Sequence, residues 1–158
     1  MSQIDFNRRY GGILEVGNID IDRNISEAKN MSMSEWVKAV GTKGKWDYKN
    51  NVNLIKAEFD PKLLDEFGNV HFGMVANAFG FNLEGSMYGA GLYQVTKQGG
   101  GNRVELIEAT SLMNGTAGGY LLPDDYSRSI TRNGFSWGDN KGDALNIMRG
   151  WDFAKDNY

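Results

Sequence analysis

Phe67-Gly68-Asn69-Val70-His71-Phe72-Gly73-Met74-Val75-Ala76-Asn77-Ala78-Phe79-Gly80 is the stretch that decides the fold. Val70, Met74 and Phe81 recur at roughly helical spacing, while Asn69, Gly73, Ala76, Asn77 and Gly80 form a second stripe of small and amide residues. A similar helix is expected over residues 83–97, with Gly85 and Gly89 four apart and Gly91 and Gln94 nearby. Glycine costs about 1 kcal/mol against alanine in a helix interior, so several together call for a close backbone neighbour. The expectation is a close-packed, Gly-rich pair of helices that cross face to face.

Working outward, Asp20 or Asp22 can cap a first helix that ends near Lys29 and carries Ile25 and Ala28 inward. Ser32-Met33-Ser34-Glu35 is a capping box opening a helix with Met33, Trp36, Val37 and Val40 on one face and Gly41 at its end. Residues 53–59 read as a short strand or a helical turn. Pro61 starts a short helix that Gly68 ends. Residues 104–107 and 119–122 are the best short strands. Asp143 caps a last helix with the stripe Ala144, Ile147, Met148, Trp151 and Ala154. The remaining glycines, at Gly11-Gly12, Gly41 with Gly44, Gly99-Gly100-Gly101 and Gly118-Gly119, read as turns. The fold class is mainly α, an α+β chain with minor β, in a single compact helical domain over residues 1–158. Residues 1–19 read as an N-terminal arm and 95–136 as an insertion or loop region.

Composition narrows the chemistry. With no cysteine, disulfides, thiol nucleophiles and thiolate metal sites are excluded. The formal net charge of −3 is the wrong sign for a protein that grips nucleic acid by its phosphates. Lys38, Lys43, Lys45 and Lys49 are the one local basic cluster, and solvated loop charges explain it. No apolar run approaches the roughly 18 residues a membrane span needs, and the first residues lack the layout of a signal peptide. No phosphate-binding loop, dinucleotide fingerprint or metalloprotease motif is present. Gly138-Asp139-Asn140-Lys141-Gly142-Asp143 lacks the spacing of a calcium loop. No metal site and no cofactor is expected.

His71, the only histidine, is the one side chain whose ordinary pKa lies near neutrality. Its neighbours Met74, Val75 and Ala78 put it on an apolar face, so it is a proton-moving helper or a structural support. In Trp46-Asp47-Tyr48-Lys49, an extended backbone would point Asp47 and Lys49 to one side and the two aromatics into the core. Asp47 is the better candidate for chemistry. The catalytic candidates are therefore Asp47, His71, Lys49 and Glu58. The substrate-binding candidates are Asn69, Tyr48, Asn77 and Gln94, although Asn69 also reads as a helix cap. Glu58 and Glu84 add carboxylates, and two carboxylates suffice for glycan hydrolysis. Each also reads as a solvated surface charge.

The order of segments resembles a known family. It comprises a helix after Asp20-Ile21-Asp22-Arg23-Asn24-Ile25, then Trp36-Val37, Gly44-Lys45-Trp46-Asp47-Tyr48-Lys49 and the stretch from Phe67 through Gly73. Gly89-Ala90-Gly91-Leu92-Tyr93-Gln94 and a closing Trp137-Gly138-Asp139 with Asp143 and Ile147 follow. Together they look like the type 44 polymorphic toxin domain, the C-terminal warhead of bacterial effectors delivered by contact-dependent machines. The similarity spans roughly residues 20–155 and departs from the pattern in a long stretch between Gln94 and Trp137.

The resemblance implies an antibacterial effector toxin of interbacterial competition. Such a toxin is secreted without a signal peptide, through a secretion system or carrier protein, into the target cell, and is countered by a cognate immunity protein. It carries over no catalytic residue. Carboxylate chemistry and acidic balance favour a hydrolase acting on peptidoglycan in the periplasm. The alternatives are a ribonuclease toxin in the target cytoplasm and a non-catalytic helical interaction module.

Overall fold

The computed structural model describes residues 1–158 as nine helices with no strand. They are α1 (Gln3–Val16), α2 (Ile21–Asn30), α3 (Met33–Val40), α4 (Val52–Lys56), α5 (Pro61–Phe79), α6 (Leu83–Tyr93), α7 (Arg103–Gly115), α8 (Asp124–Arg132) and α9 (Asp143–Asn157). The chain divides into two compact units, one of Met1–Gly80 with Arg149–Tyr158, the other of Phe81–Met148.

The first unit is built around α5. Pro61 occupies its first turn, Asp60 accepts the Lys62 amide at 3.0 Å, and Gly80, at φ +114°, closes it by donating to the carbonyls of Ala76 and Asn77. Gly68, expected to end a short helix, lies inside this one. Leu64, Phe67, Val70, His71 and Met74 are buried on both sides of it. Burial of each large side chain stabilises by about 1.5–3 kcal/mol, more than the single glycine costs. Asn69 is therefore an interior helical residue and caps nothing. The N-terminal arm is likewise a helix, running through Gly11 and Gly12 and burying Phe6, Tyr10 and Ile13. Phe6 stacks on Phe153 of α9 at 4.6 Å.

Capping places α2 and α3 as expected. Asp20 accepts the Arg23 amide, and Ser32 and Glu35 complete their box. The buried face of α3 differs from the expectation: Trp36 and Ala39 are inside, while Met33 and Val37 are about half exposed. The Trp36 indole donates to the Val75 carbonyl at 3.2 Å, which seats α3 on α5.

The second unit corrects both strand expectations. Residues 104–107 belong to α7, which Asn102 caps by accepting the Glu105 amide at 3.1 Å. A short apolar run does not separate strand from helix by periodicity. Residues 119–122 form a turn, with Ala117, Gly118 and Gly119 all at positive φ. Residues 53–59 follow the helical alternative, as α4 and a turn. The stretch 95–136 holds α7 and α8.

Close backbone approaches occur at particular glycines. A Cβ on Gly91 would overlap the Trp137 carbonyl oxygen, and one on Gly150 would overlap that of Val70. Gly85 faces only its own cap, Asn82, and Gly89 faces open space. Close approach explains the first pair and not the second. No helix is long and apolar enough to cross a membrane.

Candidate functional site

The Trp46–Lys49 segment and His71 do come together, and the result is a sealed cluster. The Asn24 amide nitrogen donates to the Tyr48 hydroxyl at 2.8 Å and to Nε2 of His71 at 3.0 Å. Nε2 is thereby an acceptor, which puts the ring proton on Nδ1. The His71 ring meets Tyr48 edge-on at 4.8 Å and Trp46 at 5.6 Å. His71 is 1% exposed. Burial pushes its pKa down to about 3, so the ring is neutral at physiological pH. Burial likewise pushes the Tyr48 phenol up to about 12, against the opposing hydrogen bond from Asn24. His71 and Tyr48 are thus both buried, with their polar atoms engaged by Asn24. Asn24 completes the cluster and was missed as a partner. On α2 it reads only as one more polar residue, because its role depends on two residues 24 and 47 positions away.

Asp47 and Lys49 do not act as one ionic pair. The backbone turns into a 3₁₀ helix over Tyr48–Asn50, so the alternation of an extended segment does not apply. The aromatics are buried as expected, but Asp47 Oδ2 accepts the Lys43 amide at 2.8 Å and the Asn50 side-chain amide at 2.7 Å. Lys49 reaches Asp65 at 3.8 Å in an exposed pair. Lys45 pairs with Glu27 and lies over the Trp46 ring, so two members of the basic cluster are neutralised locally.

Glu58 is exposed at φ +61° after α4. Asn69 and Asn77 lie half-buried on α5. The Gln94 amide donates to the Gly99 carbonyl at 2.8 Å, pinning the loop that follows α6. Glu66 is held below the ordinary carboxylate range, first by Arg9 and then by the Tyr10 hydroxyl at 2.6 Å.

The second unit holds a different kind of carboxylate. Glu84, in the first turn of α6, is 6% exposed as a residue, and its carboxylate, held by no hydrogen bond or ion pair, is not among the sealed unpartnered polar atoms. Two other acids of this unit are engaged: Glu105 accepts the Ser136 amide and hydroxyl, and Asp139 accepts the Asn140 amide. The stem of Glu84 lies under the turn after α7, so closely that a Cβ on Gly119 would fall 2.8 Å from its Cβ. That turn is held by the Gly118 amide on the Met113 carbonyl at 2.9 Å and by the Asn82 side chain on the Gly118 carbonyl at 3.4 Å. It projects Tyr120 and Leu121, 71% and 75% exposed. Where a surface charge was expected, Glu84 is buried. Its pattern signal was weak, since an acid in a first helical turn is ordinarily there for the helix dipole. Elsewhere in this unit, Ile107, Leu112, Tyr126, Ile130 and Phe135, together with Glu108 and Ser111, line an open, mainly apolar groove of about 510 Å³. No cluster of acids and histidine is suited to hold a metal ion.

A family model described as bacterial toxin 44 matches residues 35–156 of the 158. The chain belongs to the bacterial toxin 44 family. The toxin 44 match starts later than the resemblance drawn from segment order, leaving α1 and α2 outside it, Asn24 included. It runs through the 95–136 stretch and takes in both Glu84 and Tyr120. No curated protein and no solved structure matches the chain.

Proposed function

We propose that this toxin domain is a hydrolase of the target-cell envelope, cleaving the glycan strand of peptidoglycan with Glu84 as the proton donor. The observation carrying the reading is a glutamate almost wholly covered at 6% exposed, whose carboxylate is committed to no ion pair or hydrogen bond and keeps its oxygens within reach of solvent. Cleavage of a glycosidic bond needs an acid free to protonate the leaving oxygen. Acids already bound to arginine or to backbone amides, such as Glu66 and Glu105, are poor donors. With Glu84 as the donor, the attacking group is supplied by the substrate itself, as in substrate-assisted hydrolysis. The net charge of −3 and the neutral, sealed His71 both count against the ribonuclease alternative, in which that ring would shuttle the proton. The same reading places the toxin in the periplasm of the target cell, delivered by a secretion apparatus or carrier and neutralised by a cognate immunity protein.

The test is expression in bacteria with and without an export signal. Exported protein is expected to cause rounding and lysis with soluble muropeptides released. Cytosolic protein is expected to be harmless. Glu84→Gln is expected to abolish lysis while remaining folded, and Asp47→Ala to retain it. Killing from the cytosol with degraded RNA, or full lysis by Glu84→Gln, would overturn the proposal.

A further inference from the structure

We infer that the turn at residues 116–122 is a carbohydrate-binding platform, with Tyr120 the residue that stacks on a sugar ring next to Glu84. The inference rests on the glycan-hydrolase reading and adds a substrate contact to it.

Three observations lead there. Tyr120 and Leu121 are adjacent, large and mostly exposed, an arrangement that costs hydrophobic free energy unless something covers them. The backbone beneath them is fixed. Ala117, Gly118 and Gly119 take three successive positive φ values of +50°, +74° and +88°. The amides of Gly118, Gly119, Leu121 and Leu122 are each bonded within residues 113–119. The two side chains are therefore presented by a built turn. Finally, Gly119 lies against the Cβ and Cγ of Glu84 and the Met113 sulfur, so Tyr120 directly follows the residue that packs on the aliphatic stem of Glu84. An aromatic ring with a polar hydroxyl suits a sugar, whose axial C–H face stacks on the ring while its hydroxyls stay hydrated. Residues 116–122 carry no charged side chain, which favours a neutral sugar face over an ionic ligand.

The experiment separates binding from cleavage. Purified full-length Glu84→Gln protein, which binds without cutting, is co-sedimented with insoluble peptidoglycan sacculi, with and without a second change at Tyr120. Tyr120→Ala is expected to weaken binding about tenfold, the factor equivalent to one stacked ring, and Tyr120→Phe to retain it. In the cleaving parent, Tyr120→Ala is expected to raise KM with little change in kcat. Equal sacculus binding by the Glu84→Gln protein with and without the Tyr120→Ala change would overturn the inference. So would no sacculus binding by the parent, or binding to phosphatidylglycerol vesicles in its place. If Tyr120→Ala loses sacculus binding while Glu84→Gln still lyses cells, the platform stands and the role of Glu84 falls.

Discussion

Acidification from pH 7 to pH 5 should destabilise this protein through one side chain. His71 is the only histidine, and burial pushes its pKa from 6.5 down to about 3. Between those values the unfolded ring is protonated and the native ring is not. The unfolded state therefore binds the extra proton, and stability falls as pH falls, by about 1.4 kcal/mol per pH unit once below 6.5. Over the step from pH 7 to pH 5 the loss is about 2 kcal/mol. The carboxylates held below their ordinary range, Glu66 by Arg9 and Tyr10, and Glu27 by Lys45 and Arg23, add their losses only further down, as their unfolded forms protonate. The window is thus nearly the histidine's alone. Urea titrations at the two pH values measure the difference, and thermal melts should show a drop of about 4–8 °C for a chain of this size. His71→Gln keeps a polar side chain and cannot titrate, so its stability should be nearly flat across the same range. A wild type equally stable at pH 5 and pH 7, or a His71→Gln variant that loses as much as wild type, would refute a sealed, neutral ring.

Two further changes probe buried polar groups. Asn24→Ala leaves the Tyr48 hydroxyl and His71 Nε2 without their donor in the core, and should cost about 1–3 kcal/mol in urea denaturation. A cost below about 0.5 kcal/mol would mean the amide is not holding the cluster. The Ser127 hydroxyl is fully buried with no hydrogen-bond partner. Ser127→Ala removes a desolvated polar atom without changing shape much and should raise stability by about 1 kcal/mol, and a destabilised variant would show that the hydroxyl is satisfied.

The helical class was legible because its signals are local. Asp20, the Ser32–Glu35 box and Pro61 start helices through hydrogen bonds or backbone angles confined to a few residues, and all three appear where the spacing places them. Errors arose where a local rule met burial. Gly68 and Gly11-Gly12 read as breaks, but each sits in a helix whose flanking side chains are buried. Val104 and Ile107 read as a strand because four residues cannot distinguish the two periods. At the candidate site, the pinning of Trp46 and Tyr48 was readable from alternation. The turn that directs Asp47 away from Lys49 was not.

The sequence by itself determined a mainly helical chain without thiol chemistry, with one histidine and a segment order that resembles a bacterial toxin family. These follow from composition and from periodicity within single elements. Only the tertiary structure decided which polar residues are free to act. It sealed His71 with Asn24 and Tyr48 and tied Asp47 into a turn. It also set the stem of Glu84 beneath the turn that carries Tyr120, with the carboxylate in no hydrogen bond or ion pair. Availability for chemistry depends on desolvation and on bonds between residues far apart in the chain, and neither is written in any local pattern.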